Sequence, residues 1–340
     1  MVTIKDVAKA AGVSTATVSR VVHNGGQVGD ECRARVKKVI EELDYRPNVN
    51  AQALVKRTTN TIGLVTPKLS MSFFGTLASG VETAARDNEY KLLMSNSLYE
   101  TSTELDAINS LREHNCTAIL LHSEYSDEQT LIKLTKDIPG LVIINRFIPQ
   151  IGDRCVWLDN NSGGIQIGEY LIEKGHQEFA VVTSIYQNKD PELRVQGLKT
   201  ALANHQLELD TDLVAESTAN IEGGEIAAKA LLESGKKFTA VVAYNDLMAI
   251  GAMNVLQDAG VKVPEEVSVI GFDNLFVTQA CRPKLTTMSY PVEEMAAYAT
   301  ELAINLSQNK NKVKNRTHLF MPYLVERNSV AQAKVVDQTR

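Results

Sequence analysis

Residues 4–22, IKDVAKAAGVSTATVSRVV, constrain the fold of this 340-residue chain more than any other stretch. Ile4, Val7, Ala8 and Ala11 recur at i, i+3, i+4 and i+7, so they form one apolar helical stripe. Gly12 breaks that helix, and Ser14 is a favoured N-cap for a second one. The second helix can bury Val18, Val21 and Val22 while Thr15, Ala16, Thr17, Ser19 and Arg20 face outward. Two short helices joined through a glycine turn make a helix-turn-helix, whose second member is shaped to enter a DNA major groove. The pattern also fits an αα-corner in an all-helical domain, but the next residues weigh against that. Asp30 can cap a third helix with the stripe Val36, Val39, Ile40 and Leu43, which closes a three-helix core. Residues 1–60 hold ten Lys/Arg against six Asp/Glu, a net +4 that leaves −10 for the other 280 residues. A basic head on an acidic body is the charge pattern of nucleic-acid binding.

The stretch TIKDVAKAAGVSTATVSRVVHN resembles the start of the LacI/GalR family of bacterial transcription repressors. The likeness continues at Tyr45-Arg46-Pro47-Asn48-Val49-Asn50-Ala51-Gln52-Ala53-Leu54, similar to that family's hinge helix, and runs to LVERNSV at 324–330. TAILLHSE, VIINRFIP, YNDLMAIGAMNVL and RPKLTTMSYP are similar to segments of its galactose-responsive members. The resemblance implies a homodimeric repressor that binds a pseudo-palindromic operator in double-stranded DNA. Its control would come from a small sugar effector, galactose or a galactoside acting as inducer; a repressor responding to a different sugar is the alternative.

The length fits a small head plus a two-lobed body. No run of 18 uncharged apolar residues exists, so no membrane span is expected. The start MVTIKDVAKAAG lacks an apolar signal region, so a cytoplasmic protein is expected. Cys32, Cys116, Cys155 and Cys281 are scattered without metal-ligand spacing, as free thiols in a reducing compartment would be.

Beyond the polar KRTTN at 56–60, short apolar runs alternate with amphipathic helical stretches. The runs are 62–65, 91–94, 117–121, 141–144, 179–183, 240–243 and 267–271, and the helical stretches include 75–86, 102–113, 193–203, 223–233 and 246–259. That alternation predicts parallel sheets wound by right-handed crossovers, with too many units for one sheet. Two doubly wound α/β lobes follow, with a ligand crevice at the strand carboxyl ends. The boundaries read as a head at 1–47, a hinge helix and linker at 48–60, a body at 61–330 and a polar tail at 331–340. The resemblance implies a periplasmic-binding-protein-like body whose chain passes between lobes near 158–160, 289–291 and 319–321. Lobe one would then be 61–158 plus 291–319, and lobe two 160–289 plus 320–333.

By the same resemblance, Thr15 and Ala16 match the family's specificity pair and Arg20 its base- or phosphate-contacting arginine. Ala16 can offer only a methyl, to a thymine methyl, or else is a plain helix-former. Tyr45, Ser19 and Thr17 are expected on phosphates, which position without specifying. Residues 48–55 are too few for a stable helix alone in water, so the hinge with Asn48, Ala51 and Leu54 would fold on the minor groove. Leu54 matches the family's wedge leucine; the competing reading is a buried linker leucine.

A sugar site needs aromatic faces and polar groups that grip hydroxyls in pairs. Phe73 and Phe74 suit the first task, although one of them can simply pack the lobe. Asn145, Arg146, Asp159, Arg194, Asn245 and Asp273 follow apolar runs or open helices, where ligand contacts fall in such folds. Arg194, Asn245 and Asp273 match the family's most used ligand positions. Asn245 and Asp246 are also natural N-caps, with Asn245 assigned to the ligand and Asp246 to structure. Trp157 reads as core, and His176 in a Lys-Gly-His turn as a cap.

Two rival functions lack their signatures. A nucleotide-using enzyme needs a phosphate loop, and GGIQIG at 163–168 has neither GxGxxG nor GxxxxGK[ST] spacing. No GxSxG and no HExxH-like histidine pairing occurs, so neither catalysis nor a metal or other cofactor is expected. A periplasmic sugar-binding protein would carry no basic helix-turn-helix. The tail lacks the heptads of a tetramer coil. If Leu54 is the wedge, Leu54→Ala lowers operator affinity by about one to several kcal/mol and leaves sugar affinity unchanged. Equal operator binding by mutant and parent in one buffer would refute the wedge.

Overall fold

The computed structural model of the chain describes residues 2–23, 25–26, 28–46, 60–186, 188–308 and 318–334. They belong to two compact units, Met1–Thr59 and Asn60–Arg340. The hinge residues Asn48, Ala51 and Leu54 lie outside the described residues.

In the first unit, α1 (Ile4–Ala11) starts at Thr3, whose backbone N–H donates to the Asp6 carboxylate at 2.8 Å, and stops at Gly12 with φ +64°. That left-handed conformation costs glycine nothing, which makes the turn tight. Helix α2 (Thr15–Val22) is capped by the Ser14 hydroxyl, which accepts from the Thr17 N–H at 3.1 Å. Helix α3 (Asp30–Glu42) corrects one expectation: its N-cap is Gly29, and Asp30 is the first helical residue. The Asp30 carboxylate there still meets the positive end of the helix dipole. Val7, Ala8, Ala11, Val18, Val21 and Val36 are buried together, with Val22, Val39, Ile40, Leu43 and Tyr45 packed against them.

The second unit opens with β1 (Thr61–Thr66), α4 (Ser72–Asp87), β2 (Lys91–Asn96), α5 (Thr101–Glu113), β3 (Ala118–His122), α6 (Glu128–Asp137), β4 (Gly140–Ile144) and β5 (Cys155–Leu158). The chain then crosses into α7 (Asn160–Glu173), β6 (Phe179–Ser184), α8 (Asp190–Asn204), β7 (Val214–Ser217), α9 (Ile221–Glu233), β8 (Ala240–Ala243), α10 (Asp246–Asp258), β9 (Ser268–Asp273) and β10 (Thr286–Ser289). It returns through α11 (Val292–Ser307) and ends in β11 (Leu319–Phe320) and β12 (Tyr323–Val325). The first sheet has the order β11-β5-β4-β3-β1-β2 and the second β12-β10-β9-β8-β6-β7. All pairings are parallel except β12 on β10. Each order reverses at its first strand, β1 or β6, the switch point where such sheets open a ligand crevice. Strands β3, β4 and β8 are buried along their whole length, which is why they read as unbroken apolar runs. Phe320 still pairs with Leu158 in the first sheet, so the last passage between lobes comes after residue 320.

The glycines of GGIQIG serve helix packing. A Cβ on Gly164 would lie 2.1 Å from the Arg194 carbonyl oxygen, and one on Gly197 would lie 2.1 Å from that of Asn161. Helices α7 and α8 therefore meet backbone to backbone, and this closeness lets Arg194 Nε donate to Asn160 Oδ1 at 2.8 Å. The first residues of the expected polar tail are tied down instead. Ala331 N–H donates to Ser268 Oγ at 3.1 Å, its carbonyl accepts from His176 Nε2 at 3.2 Å, and Ala333 N–H donates to the Lys174 carbonyl at 2.8 Å. His176 caps the end of α7 as expected, its backbone N–H donating to the Leu171 carbonyl at 3.1 Å, and its ring also clips Thr239 to the terminus. Among the described residues no helix is long and apolar enough to cross a membrane.

Gly197→Ala has no room for its methyl and is expected to cost about 1–3 kcal/mol, the usual price of overpacking. A melting temperature equal to the parent's would show that α7 and α8 can part freely.

Candidate functional site

On the head, Thr15, Ala16 and Arg20 are exposed along α2. Thr17 and Ser19 are half-buried: the Thr17 hydroxyl lies 2.9 Å from Ser14 Oγ, and the Ser19 carbonyl lies 2.7 Å from His23 Nδ1. Tyr45 leans on the core with its ring half-buried. The outward face of α2 is therefore small, polar and cationic at one point, a surface that can approach a duplex closely.

The body holds a cleft between its lobes. The lobe-one side carries Met71, Phe73, Phe74, His122, Glu124 and Asn145; the lobe-two side carries Tyr186, Asn188, Asp190, Arg194, Tyr244, Asn245 and Asp273. Tyr290 closes it from the segment leaving β10. These positions cluster at strand carboxyl ends and helix starts because parallel strands all deliver their next residue to one edge.

A chain of hydrogen bonds crosses the cleft. Tyr290 donates its hydroxyl to Asn145 Oδ1, and Asn145 Nδ2 donates to Asp190 Oδ2 at 2.6 Å. The other Asp190 oxygen accepts from Asn160 Nδ2 at 3.0 Å, while Asn160 Oδ1 holds Arg194. Arg194 Nη1 donates to the Tyr244 carbonyl at 2.5 Å and lies 3.8 Å from Asp273 Oδ1. Its guanidinium is stacked 3.6 Å from the Phe272 ring centroid. Among the described residues Asp273 accepts no hydrogen bond, so its carboxyl is open to a ligand. Burial pushes Asp273 up to about 7, with Arg194 opposing and Asp190 reinforcing the rise. Burial, then the charges of Asp190 and Glu104, push Glu124 up to about 8.

The rings divide by depth. Phe74 is buried in the lobe core, whereas Phe73 stands edge-on to Tyr290 at 5.0 Å between centroids. Tyr99 of lobe one stacks on Tyr186 of lobe two, centroids 5.7 Å apart and planes 21° from parallel, and Tyr186 donates to the Tyr99 hydroxyl at 3.4 Å. Both are half-buried.

Phe73, Phe74, Asn145, Arg194, Asn245 and Asp273 thus come together in the cleft, and two expected residues do not. Asn145 sits at φ +61°, which turns the chain so that Arg146 points away and donates to the Ser126 carbonyl at 2.6 Å. Asp159 caps α7, accepting from the Ser162 N–H at 2.8 Å. Asn245 faces the cleft but also caps α10, its Oδ1 accepting from the Met248 N–H at 2.9 Å. Asp246 is fully buried and structural, accepting from the Leu275 N–H and the Thr287 hydroxyl. Trp157 packs on Phe147 outside the cleft lining. Sequence reasoning missed His122, Glu124, Tyr186, Asp190, Tyr244 and Tyr290. His122 and Tyr244 directly follow apolar runs, so the rule that found Asn145 could have found them.

The raised carboxyls set a pH dependence. Asp273 and Glu124 keep protons in the folded chain above pH 6.5 that the unfolded chain has already lost, so stability falls as pH rises. Buried His122, held down to about 4, and His176 act oppositely only below their unfolded pKa, about 6.5. Melting temperature is therefore expected to drop between pH 6.5 and 8.5, and Glu124→Gln is expected to flatten that drop. A melting temperature that rises over this window would contradict the site's electrostatics.

A model of the lacI family of bacterial regulatory proteins matches residues 3–48, and one of a periplasmic binding protein-like domain matches residues 169–330. The chain is 42% identical over 331 residues to the HTH-type transcriptional regulator GalR of Escherichia coli K12, covering 97% of this chain and 96% of GalR. It is 40% identical over 331 residues to the HTH-type transcriptional regulator GalS of Salmonella typhimurium, covering 97% of each. The fold matches the lac repressor dimer bound to operator and the anti-inducer ONPF with a TM-score of 0.88, at 24% identity over 97% of this chain and 99% of that one. With both parts of the chain and nearly its full length matched, the chain belongs to the LacI/GalR family of DNA-binding transcriptional regulators.

Proposed function

We propose that this regulator is a cytoplasmic homodimeric repressor whose operator affinity falls when galactose or a galactoside occupies the cleft. The observation that carries the reading is the buried Asp273 carboxyl, free of hydrogen bonds among the described residues and 3.8 Å from an Arg194 already fixed by Asn160. Two neighbouring polar groups of opposite character, set among aromatic faces, match a sugar's vicinal hydroxyls and apolar ring surface. Asn245 and the rim of Phe73 complete the grip. On the head, Thr15, Ala16 and Arg20 read bases in the major groove, Thr17, Ser19 and Tyr45 position phosphates, and the hinge with Asn48, Ala51 and Leu54 enters the minor groove. Ile221, Ile226 and Phe276 are exposed apolar residues on lobe two, suited to a dimer face.

Because the cleft is built from both lobes, a bound sugar favours one lobe angle, and that angle sets how two heads and two hinges are presented to two half-sites. Coupling of this kind amounts to about 1–3 kcal/mol per site and is reciprocal, so operator DNA weakens sugar binding by the same factor. Calorimetric titration with a panel of sugars identifies the effector.

Asp273→Asn keeps the shape and removes the charge. Sugar affinity is expected to fall by about 1.5–3 kcal/mol, the range for hydrogen bonds to charged groups, with operator affinity in the absence of sugar unchanged. A mutant that melts lower yet binds galactose normally would make Asp273 a structural brace and remove the sugar reading of the cleft.

A further inference from the structure

Six buried side-chain atoms lack a hydrogen-bond partner among the described residues, and three of them belong to one pair in the cleft: His122 Nδ1, His122 Nε2 and Glu124 Oε2. His122 is 3% and Glu124 8% exposed, and both line the lobe-one side. Buried polar groups are nearly always paired in folded proteins, so three orphaned atoms on two residues that line one cavity mark a place where a ligand can supply the partners.

The pair is held by packing. Phe73 and Phe74 meet the imidazole edge-on, at 6.0 and 5.0 Å between centroids. His122 Nδ1 lies 3.7 Å from Glu124 Oε1, beyond hydrogen-bond reach. Behind Glu124, the Glu104 carboxylate accepts from the Ser123 and Ser126 hydroxyls, and Arg146 is committed to the Ser126 carbonyl. Tyr99, Tyr125, Tyr186, Tyr244 and Asp190 are the other titratable groups near it. Among the described residues, no cation is therefore free on this side.

We propose, resting on the sugar reading above, that His122 and Glu124 form a hydroxyl-reading pair that admits an uncharged sugar hydroxyl and turns away a carboxylate or phosphate in the same place. Burial holds the imidazole neutral, so it offers one N–H and one lone pair. Burial and the neighbouring carboxylates keep Glu124 protonated at neutral pH, so it offers one O–H and a carbonyl oxygen. A hydroxyl both donates and accepts, so it can take a hydrogen bond from one of the two residues and give one to the other. An anionic substituent only accepts, and it would sit beside Glu104 and Asp190. The cleft thus selects the free, uncharged sugar over its uronic acid or its phosphate ester.

Calorimetry on the full chain at pH 7 tests this with galactose, the six-carbon uronic acid, the 6-phosphate and the set of monodeoxygalactoses. Galactose is expected to bind the parent at least about tenfold more tightly than either anion. His122→Phe, which keeps the ring and removes both nitrogens, is expected to lose about tenfold for galactose. One monodeoxy sugar should show a penalty on the parent that disappears on His122→Phe. His122→Gln, which restores donor and acceptor, should recover part of the loss and covers the case in which the Phe variant fails to fold. Equal galactose affinity for parent, His122→Phe and His122→Gln, or equal binding of the anions by the parent, would overturn the proposal while leaving the sugar site standing. A parent chain that binds no sugar would overturn both.

Discussion

The body depends on one carboxylate. Asp190 opens α8, is 5% exposed, and uses one oxygen to hold Asn145 from lobe one and the other to hold Asn160 from lobe two. Burial pushes its pKa up while Arg194 and Asn145 pull it down. A group in that balance keeps its bonds only while the lobes stay at one spacing. Rotating a lobe by a small angle would strand a buried carboxylate, which is costly without its partners. The same residue therefore sets the lobe angle and, through Asn160, the position of Arg194.

The second support is steric. Gly164 and Gly197 let α7 and α8 approach until backbone meets backbone, and Gly224 and Gly251 do the same for α9 and α10, where added Cβ atoms would lie 2.2 and 2.1 Å from the Met248 and Ile221 carbonyl oxygens. Helices packed this closely slide poorly, so lobe two moves as a unit and strain is passed on rather than absorbed. Ligand contacts at the start of α8 are thereby linked to the whole lobe.

Much of this fold is legible in the sequence because buried parallel strands leave plain apolar runs. The runs at 117–121, 141–144 and 240–243 correspond to β3, β4 and β8. Short or half-exposed elements left no such trace: β7, β11 and β12 have too few apolar residues, and α11 shows Glu293, Glu301 and Asn305 as a thin polar stripe on a largely buried helix. At the site, adjacency to a strand end located Asn145 and Asp273 but could not separate Asn145 from Arg146, since that depends on a left-handed backbone at Asn145. Asp190 and Tyr290 were out of reach of that rule, because Tyr290 follows β10, whose TTMS is no apolar run, and Asp190 opens α8 six residues beyond the end of β6. Asp190 bonds to residues 30 and 45 positions distant, and Tyr290 to one 145 positions distant.

The stack of Tyr99 on Tyr186 joins the lobes at the half-buried side of the cleft. Leu98 and Tyr99 both carry positive φ, +52° and +62°, so the backbone presents this ring in a conformation that bulky residues seldom adopt. Any change in the angle between the lobes must slide or part the two rings and break the contact between their hydroxyls. Aromatic contact therefore adds to the polar bonds of Asp190 in holding one lobe spacing, and it does so through faces that tolerate sliding better than a buried carboxylate does.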